Sequence, residues 1–252
     1  MYIRALSFCL FLFHGSLTTV ASAPSAPAAI KTDPLVNHQL YQLMRDVHDL
    51  FEKHTIFYWI EGGTLMGAVR HKGLIPWDDD LDIAIKEADA SALEDLEDTL
   101  EKLGYGLQKC FLGYRIFLRE GLPMQWVNPH NPDYQNLRYP CIDIFVFKRE
   151  GERYISAFEA CRTIWPKDWF NAADVESRQL YTFGNFQVWG PRNPEDYLNR
   201  FYGNTWRRQA EYAAPHHVPA SHEQSIKITW ALQPQDYAPA QPENSSRRRV
   251  DK

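Results

Sequence analysis

The chain predicts one α/β (α+β) domain, a mixed β-sheet flanked by helices. Two short apolar runs, IFYWI at residues 56–60 and CIDIFVF at residues 141–147, have the length and the branched and aromatic content of buried strands. Apolar residues at helical spacing precede the first run, and glycine, proline and asparagine punctuate the segments in between. At 252 residues, with 44% hydrophobic and 23% charged residues, the chain is long enough for one substantial core.

Folding is expected to begin at Asp33 and Pro34, an N-cap and N1 pair. Leu40, Leu43, Met44, Val47, Leu50 and Phe51 then form the buried stripe of an amphipathic helix. The strand at residues 56–60 stops at Gly62 and Gly63, and a short helix is expected from Thr64 to about His71. A longer helix over residues 88–103 has Leu93, Leu96, Leu100 and Leu103 at helical spacing and Gly104 as its stop. Residues 106–110 and 114–119 read as a hairpin about Gly113, residues 126–140 as a long loop, and residues 180–188 as a second hairpin turning at Gly184 and Asn185. Asn193 and Pro194 begin a last short helix that Gly203 ends. His216, His217 and His222 follow no helical or strand pattern and read as loop residues.

Residues 61–85, EGGTLMGAVRHKGLIPWDDDLDIAI, concentrate the chemistry. Asp80 and Asp82 flank one apolar residue, so a strand aims both carboxylates at one face, roughly 7 Å apart along it. Leu81, Ile83 and Ile85 occupy the other face. Carboxylates beside a core are costly unless a cation receives them, and a divalent ion is such a partner. Asp143 is the single charge in the second apolar run, and two readings fit it. It is either the partner of a basic side chain or a third acidic ligand brought beside Asp80 and Asp82 from a neighbouring strand. Gly62 and Gly63 let the backbone turn sharply and approach a ligand, and with Thr64 they open a helix whose free amides suit an anion. Arg70 and His71 either reach phosphate oxygens or cap that helix. Trp77 either stacks on a base or packs beneath the loop.

The order strand, Gly62-Gly63-Thr64, Ala68-Val69-Arg70-His71, Ile75-Pro76-Trp77-Asp78, Asp80, Asp82, Ile142-Asp143-Ile144-Phe145 and Tyr197-Leu198 with Tyr202-Gly203 resembles the LicD/fukutin-related family of phosphotransferases. The resemblance implies a nucleotidyltransferase-like fold and a catalytic set of Asp78, Asp80, Asp82 and Asp143. It implies transfer of a phosphorylated alcohol, phosphocholine or a polyol phosphate such as ribitol phosphate, from a CDP-linked donor to a hydroxyl of a glycan or glycoconjugate. Mg²⁺ or Mn²⁺ would be held by Asp80, Asp82 and Asp143, with Gly62, Gly63, Thr64, Arg70 and His71 about the donor. Asp78 matches the first acid of the family's WDxDxD, as ligand or as base for the acceptor hydroxyl, and Asp79 is left outside the site. The alternatives are a nucleotidyltransferase that uses NTP and an exported glycan-binding protein without turnover.

Arg4, an apolar run over residues 5–13 and the small residues after it have the layout of a secretory signal peptide. The run is shorter than the roughly 20 apolar residues of a spanning helix, so no stable membrane span is expected. Residues 1–23 are assigned to the signal, 24–32 to a flexible leader, 33–232 to the domain and 233–252 to a disordered tail. A secreted or secretory-lumen protein is expected, periplasmic in a bacterium. A net charge of −5 argues against a nucleic-acid binder held by phosphate contacts. Cys110, Cys141 and Cys161 remain after the signal, an odd number that allows at most one internal disulfide.

Overall fold

The computed structural model describes residues 31–124, 136–212 and 228–242. The expected signal peptide, most of the leader and the three loop histidines lie outside the described residues. The described elements run α1 (Pro34–Lys53), β1 (Tyr58–Ile60), α2 (Gly62–Arg70), β2 (Leu81–Lys86), α3 (Ala90–Glu94), α4 (Glu97–Lys102), β3 (Tyr105–Cys110), β4 (Gly113–Pro123) and β5 (Arg138–Glu150). They continue as β6 (Arg153–Ser156), α5 (Glu159–Ile164), β7 (Trp169–Asn171), α6 (Ala172–Glu176), β8 (Gln179–Phe183), β9 (Phe186–Gly190), α7 (Pro194–Tyr202), β10 (Gln209–Tyr212) and β11 (Ile228–Ala231).

A mixed sheet in the order β1-β2-β5-β4-β3 organises the domain, and β6 and β7 extend it from β5. The β2–β5 pair is parallel, while β1–β2, β5–β4 and β4–β3 are antiparallel. In this register Leu81, Ile83 and Ile85 face Ile142, Ile144 and Val146, and Ile142 and Ile144 in turn face Ile116 and Tyr114. Alternation then puts all of these side chains on one face of the sheet. That face is buried in the main core with the α1 stripe, and Tyr105 donates its hydroxyl to Asp46 of α1 at 2.5 Å. Helix α1 starts as expected, with the Asp33 side chain accepting from the Leu35 N–H at 2.7 Å.

Four expectations are corrected. The helix over residues 88–103 is two short helices, and an i→i+3 bond from the Leu96 N–H to the Leu93 carbonyl (3.0 Å) tightens the chain between them. The end of the loop at residues 126–140 belongs to β5, which begins at Arg138. The tail boundary at residue 233 comes too early. Residues Pro234–Tyr237 form a 3-10 turn closed by a Gln233–Asp236 capping box, and Tyr41 donates its hydroxyl to the Ala240 carbonyl at 3.1 Å. Thr32, placed in the leader, is tied to the domain by its hydroxyl, which donates to the Asp78 carbonyl at 2.7 Å. The three cysteines are free, and burial pushes the thiols of Cys110 and Cys161 up to about 11.

Candidate active site on the acidic face of the sheet

The opposite face carries charge in a row. Asp82 of β2 is directly opposite Asp143 of β5, and Asp143 is directly opposite Arg115 of β4. Because Ile60 faces Ile83, Glu61 falls beside Asp82, and its N–H donates to the Asp82 carbonyl at 3.2 Å. Asp80 ends the loop that feeds β2. One carboxylate oxygen each from Asp80, Asp82 and Asp143 lie within 4.8 Å of one another, and the same holds for Asp78, Asp79 and Asp80. Three convergent carboxylates offer oxygen donors alone, a set that fits Mg²⁺ or Mn²⁺.

Asp143 has a basic partner and also lies beside the other acids. It converges with Asp80 and Asp82, and it accepts a two-pronged contact from Arg115, whose Nε donates to Oδ1 and whose Nη2 donates to Oδ2 at 2.5 Å. The pair is buried, with side-chain exposures of 6% for Arg115 and 11% for Asp143.

Helix α2 begins at Gly62, two residues ahead of the expected Thr64, and its first turn is built against these acids. A Cβ on Gly62 would stand 2.6 Å from Asp82 Oδ2, and one on Gly63 would stand 2.6 Å from Asp78 Oδ2. Glycine is required here because carboxylates occupy the space a side chain would need. The Gly63 N–H donates to Asp82 Oδ2 at 3.0 Å, and the Asp82 N–H donates to Thr64 Oγ1 at 2.7 Å. One amide expected to receive an anion is therefore bonded to Asp82.

A second layer stands behind Glu61. Burial first, and then the charges of Asp168 and Asp82, push the buried Glu61 carboxyl well above its ordinary range. Burial pushes Asp168 up to about 7. Tyr197 joins this layer to the helix, accepting from the Gly62 N–H at 3.3 Å and donating to Asp168 Oδ1 at 3.2 Å. Asp79 is buried rather than superficial, and the Tyr139 hydroxyl donates to it.

Arg70 and His71 stand at the other end of α2. Arg70 Nη1 donates to the carbonyls of Trp206 and, at 3.3 Å, Gln209, and Nε donates to His71 Nδ1 at 3.3 Å. His71 is buried, edge-on to Trp77 and stacked on Tyr237, and burial followed by the Arg70 charge lowers it to about 3. Arg70 thus bonds to carbonyls that follow α7, and His71 is the buried C-cap residue of α2. Trp77 packs, edge-on to Trp230 with ring centroids 4.7 Å apart.

Residues 55–193, more than half of the chain, match the family model for the LicD/FKTN/FKRP nucleotidyltransferase domain. The chain belongs to this family. Among similar proteins, the uncharacterized protein RP689 of Rickettsia prowazekii is 35% identical over 205 residues, which cover 81% of this chain and 69% of that protein. The lipopolysaccharide cholinephosphotransferase LicD of Haemophilus influenzae is 61% identical over 36 residues, 14% of each chain. Human ribitol 5-phosphate transferase FKRP is 40% identical over 65 residues, 26% of this chain and 13% of that protein. The chain thus matches only a small part of the two named transferases. Among the described residues no helix is long and apolar enough to cross a membrane.

Within this LicD-family domain, sequence reasoning missed Arg115, Glu61 and Asp168. Arg115 lies between Tyr114 and Ile116 in a strand, the same isolated-charge signal that singled out Asp143. Glu61 is visible only once the β1–β2 register is known. Asp168 precedes β7 in a stretch with no periodicity, and nothing local marks it.

Proposed function

We propose that this LicD-family chain is a metal-dependent phosphotransferase that moves a phosphorylated alcohol, phosphocholine or a polyol phosphate, from a CDP-linked donor to a glycan hydroxyl. The observation that carries this reading is the convergence of Asp80, Asp82 and Asp143 within 4.8 Å, inside the span that matches the family. The activities for which the Haemophilus and human relatives are named, cholinephosphotransferase and ribitol 5-phosphate transferase, suggest the class of group transferred.

Asp80, Asp82 and Asp143 would hold Mg²⁺ or Mn²⁺, which when bound neutralises the donor diphosphate and the departing CMP. The chain's own residues do the positioning. Gly63 and Thr64 hold Asp82, and Arg115 holds Asp143. Asp78, whose carboxylate adjoins that of Asp80, takes the proton of the acceptor hydroxyl as its oxygen bonds to phosphorus and the bond to CMP breaks. Arg70 and His71 brace the far end of α2 rather than touch phosphate. The reaction takes place in a secreted or luminal setting, where the CDP-linked donor must be supplied.

The test is to incubate the purified chain with Mg²⁺ and a panel of CDP-alcohols and NTPs and to follow CMP and pyrophosphate release. CMP release from a CDP-alcohol, abolished in both Asp80→Ala and Asp82→Ala, is the expected result. Pyrophosphate release from an NTP instead would make the chain a nucleotidyltransferase. Glycan binding that survives both substitutions, with no turnover of either donor, would make it a binding protein.

A further inference from the structure

Five ion pairs join described side chains, and four of them, Lys109–Glu94, Arg119–Glu101, Arg149–Glu176 and Arg207–Glu195, are between side chains that are 41% exposed or more. Surface pairs of this kind contribute little. The fifth is Arg115–Asp143, buried in the acidic row. Its place is set by the sheet, since register alone brings Arg115, Asp143 and Asp82 side by side on three neighbouring strands. Asp80 converges on the same point, and Asp78 and Asp79 converge on Asp80.

Acids this close repel one another, and a buried carboxylate such as Asp143 is stabilised by a counter-charge beside it. A bound cation offsets that repulsion, but the chain must fold before a cation arrives. Arg115 meets this need from within. Its planar fork takes one direction of approach to each Asp143 oxygen, and a carboxylate offers about four acceptor sites, so Asp143 retains capacity toward Asp80 and Asp82.

Resting on the metal reading above, we propose that Arg115 is a positioning residue and resident counter-ion. It holds Asp143 in place and balances its charge while no metal is bound. A point charge on a flexible stem does not reproduce the fork, so lysine is a partial substitute.

The experiment is thermal unfolding of the full chain in EDTA and in saturating Mn²⁺, for wild type, Arg115→Met, Arg115→Lys and the double variant Arg115→Met with Asp143→Asn. In EDTA, Arg115→Met is expected to melt roughly 10 °C below wild type, the size of effect that follows from orphaning one partner of a buried pair. Mn²⁺ should restore most of that loss and should raise wild type by less. Asp143→Asn should restore it without metal, and Arg115→Lys should fall in between. If Arg115→Met does not fold in EDTA, refolding with Mn²⁺ or with Asp143→Asn supports the proposal, and recovery with neither overturns it.

The two readings fail separately. Equal Mn²⁺ gains in wild type and Arg115→Met, with no rescue by Asp143→Asn, would overturn the counter-ion role and leave the metal site standing. No Mn²⁺ effect on any variant, with full rescue by Asp143→Asn in EDTA, would overturn the metal reading and leave the charge-balancing role in place.

Discussion

The two ends of the nine-residue helix α2 serve opposite purposes. At the first end, Gly62 and Gly63 leave room for Asp82 and Asp78, and the main chain holds Asp82 among other acids. At the second, Arg70 donates to carbonyls after α7 and His71 is buried against Tyr237. The family resemblance implies that both ends lie about the donor. What separates them is where the polar atoms are already bonded. Convergent carboxylates gather charge that a cation can receive, whereas a guanidinium that donates to main-chain carbonyls joins segments of the fold.

The sharpest way to break this contrast is to fill the first end. In Gly63→Ala the new Cβ would sit 2.6 Å from Asp78 Oδ2, so that carboxylate must move. A displacement near 1 Å in a catalytic group lowers turnover by roughly 100-fold, and CMP release from the CDP-alcohol should fall by about that much. The melting temperature should change by only a few degrees. Retained turnover would show that the close packing of α2 on the acids has no part in the chemistry.

The second end should respond the other way. Arg70→Met removes charged donors to Trp206 and Gln209, and hydrogen bonds from a charged group contribute about 1.5–3 kcal/mol. Melting should fall by roughly 5 °C for a chain of this size, while turnover per folded molecule stays within about threefold of wild type. A large rise in the KM for the CDP-alcohol with melting unchanged would return Arg70 to the phosphates.

The contrast also marks what was legible in the sequence. Strands β2 and β5 and the α1 stripe were legible because alternation and helical spacing are local, and Asp78, Asp80 and Asp82 lie within five residues of one another. Asp143 was visible as a lone charge, but its register with Asp82 belongs to a parallel pairing of distant segments. Arg115 needed the β4–β5 register, where a slip of one residue would send it to the other face. The tail was misread for a different reason. Its Pro, Gln and Ala content suggests disorder, yet a capping box orders it and bonds from Tyr41 to Ala240, from Ala240 to Leu74 and from Tyr237 to Arg207 anchor it. Composition cannot register contacts made by residues so far away in the chain.

The smallest expected effect concerns pH. His71 has an ordinary pKa of 6.5 when the chain is unfolded and about 3 when folded, because burial and then Arg70 oppose its charge. Below pH 6.5 the unfolded chain takes up a proton that the folded chain refuses, so this contribution to stability is complete above 6.5 and declines as pH falls toward 3. At pH 5 the loss is about 2 kcal/mol, a melting shift of roughly 4 °C for a chain of this size. Asp168, which reaches the first end of α2 through Tyr197, has the opposite sign. Its folded pKa of about 7 lies above its ordinary 3.8, so its contribution declines as pH rises between those values. The two ends therefore partly cancel in wild type. Removing one exposes the other: His71→Leu should lose less stability than wild type between pH 7.5 and pH 5, with turnover at pH 7.5 preserved. An unchanged pH slope in melting would mean that His71 takes up its proton in the folded chain, and that the second end of α2 is more open to water than its packing on Trp77 and Tyr237 requires.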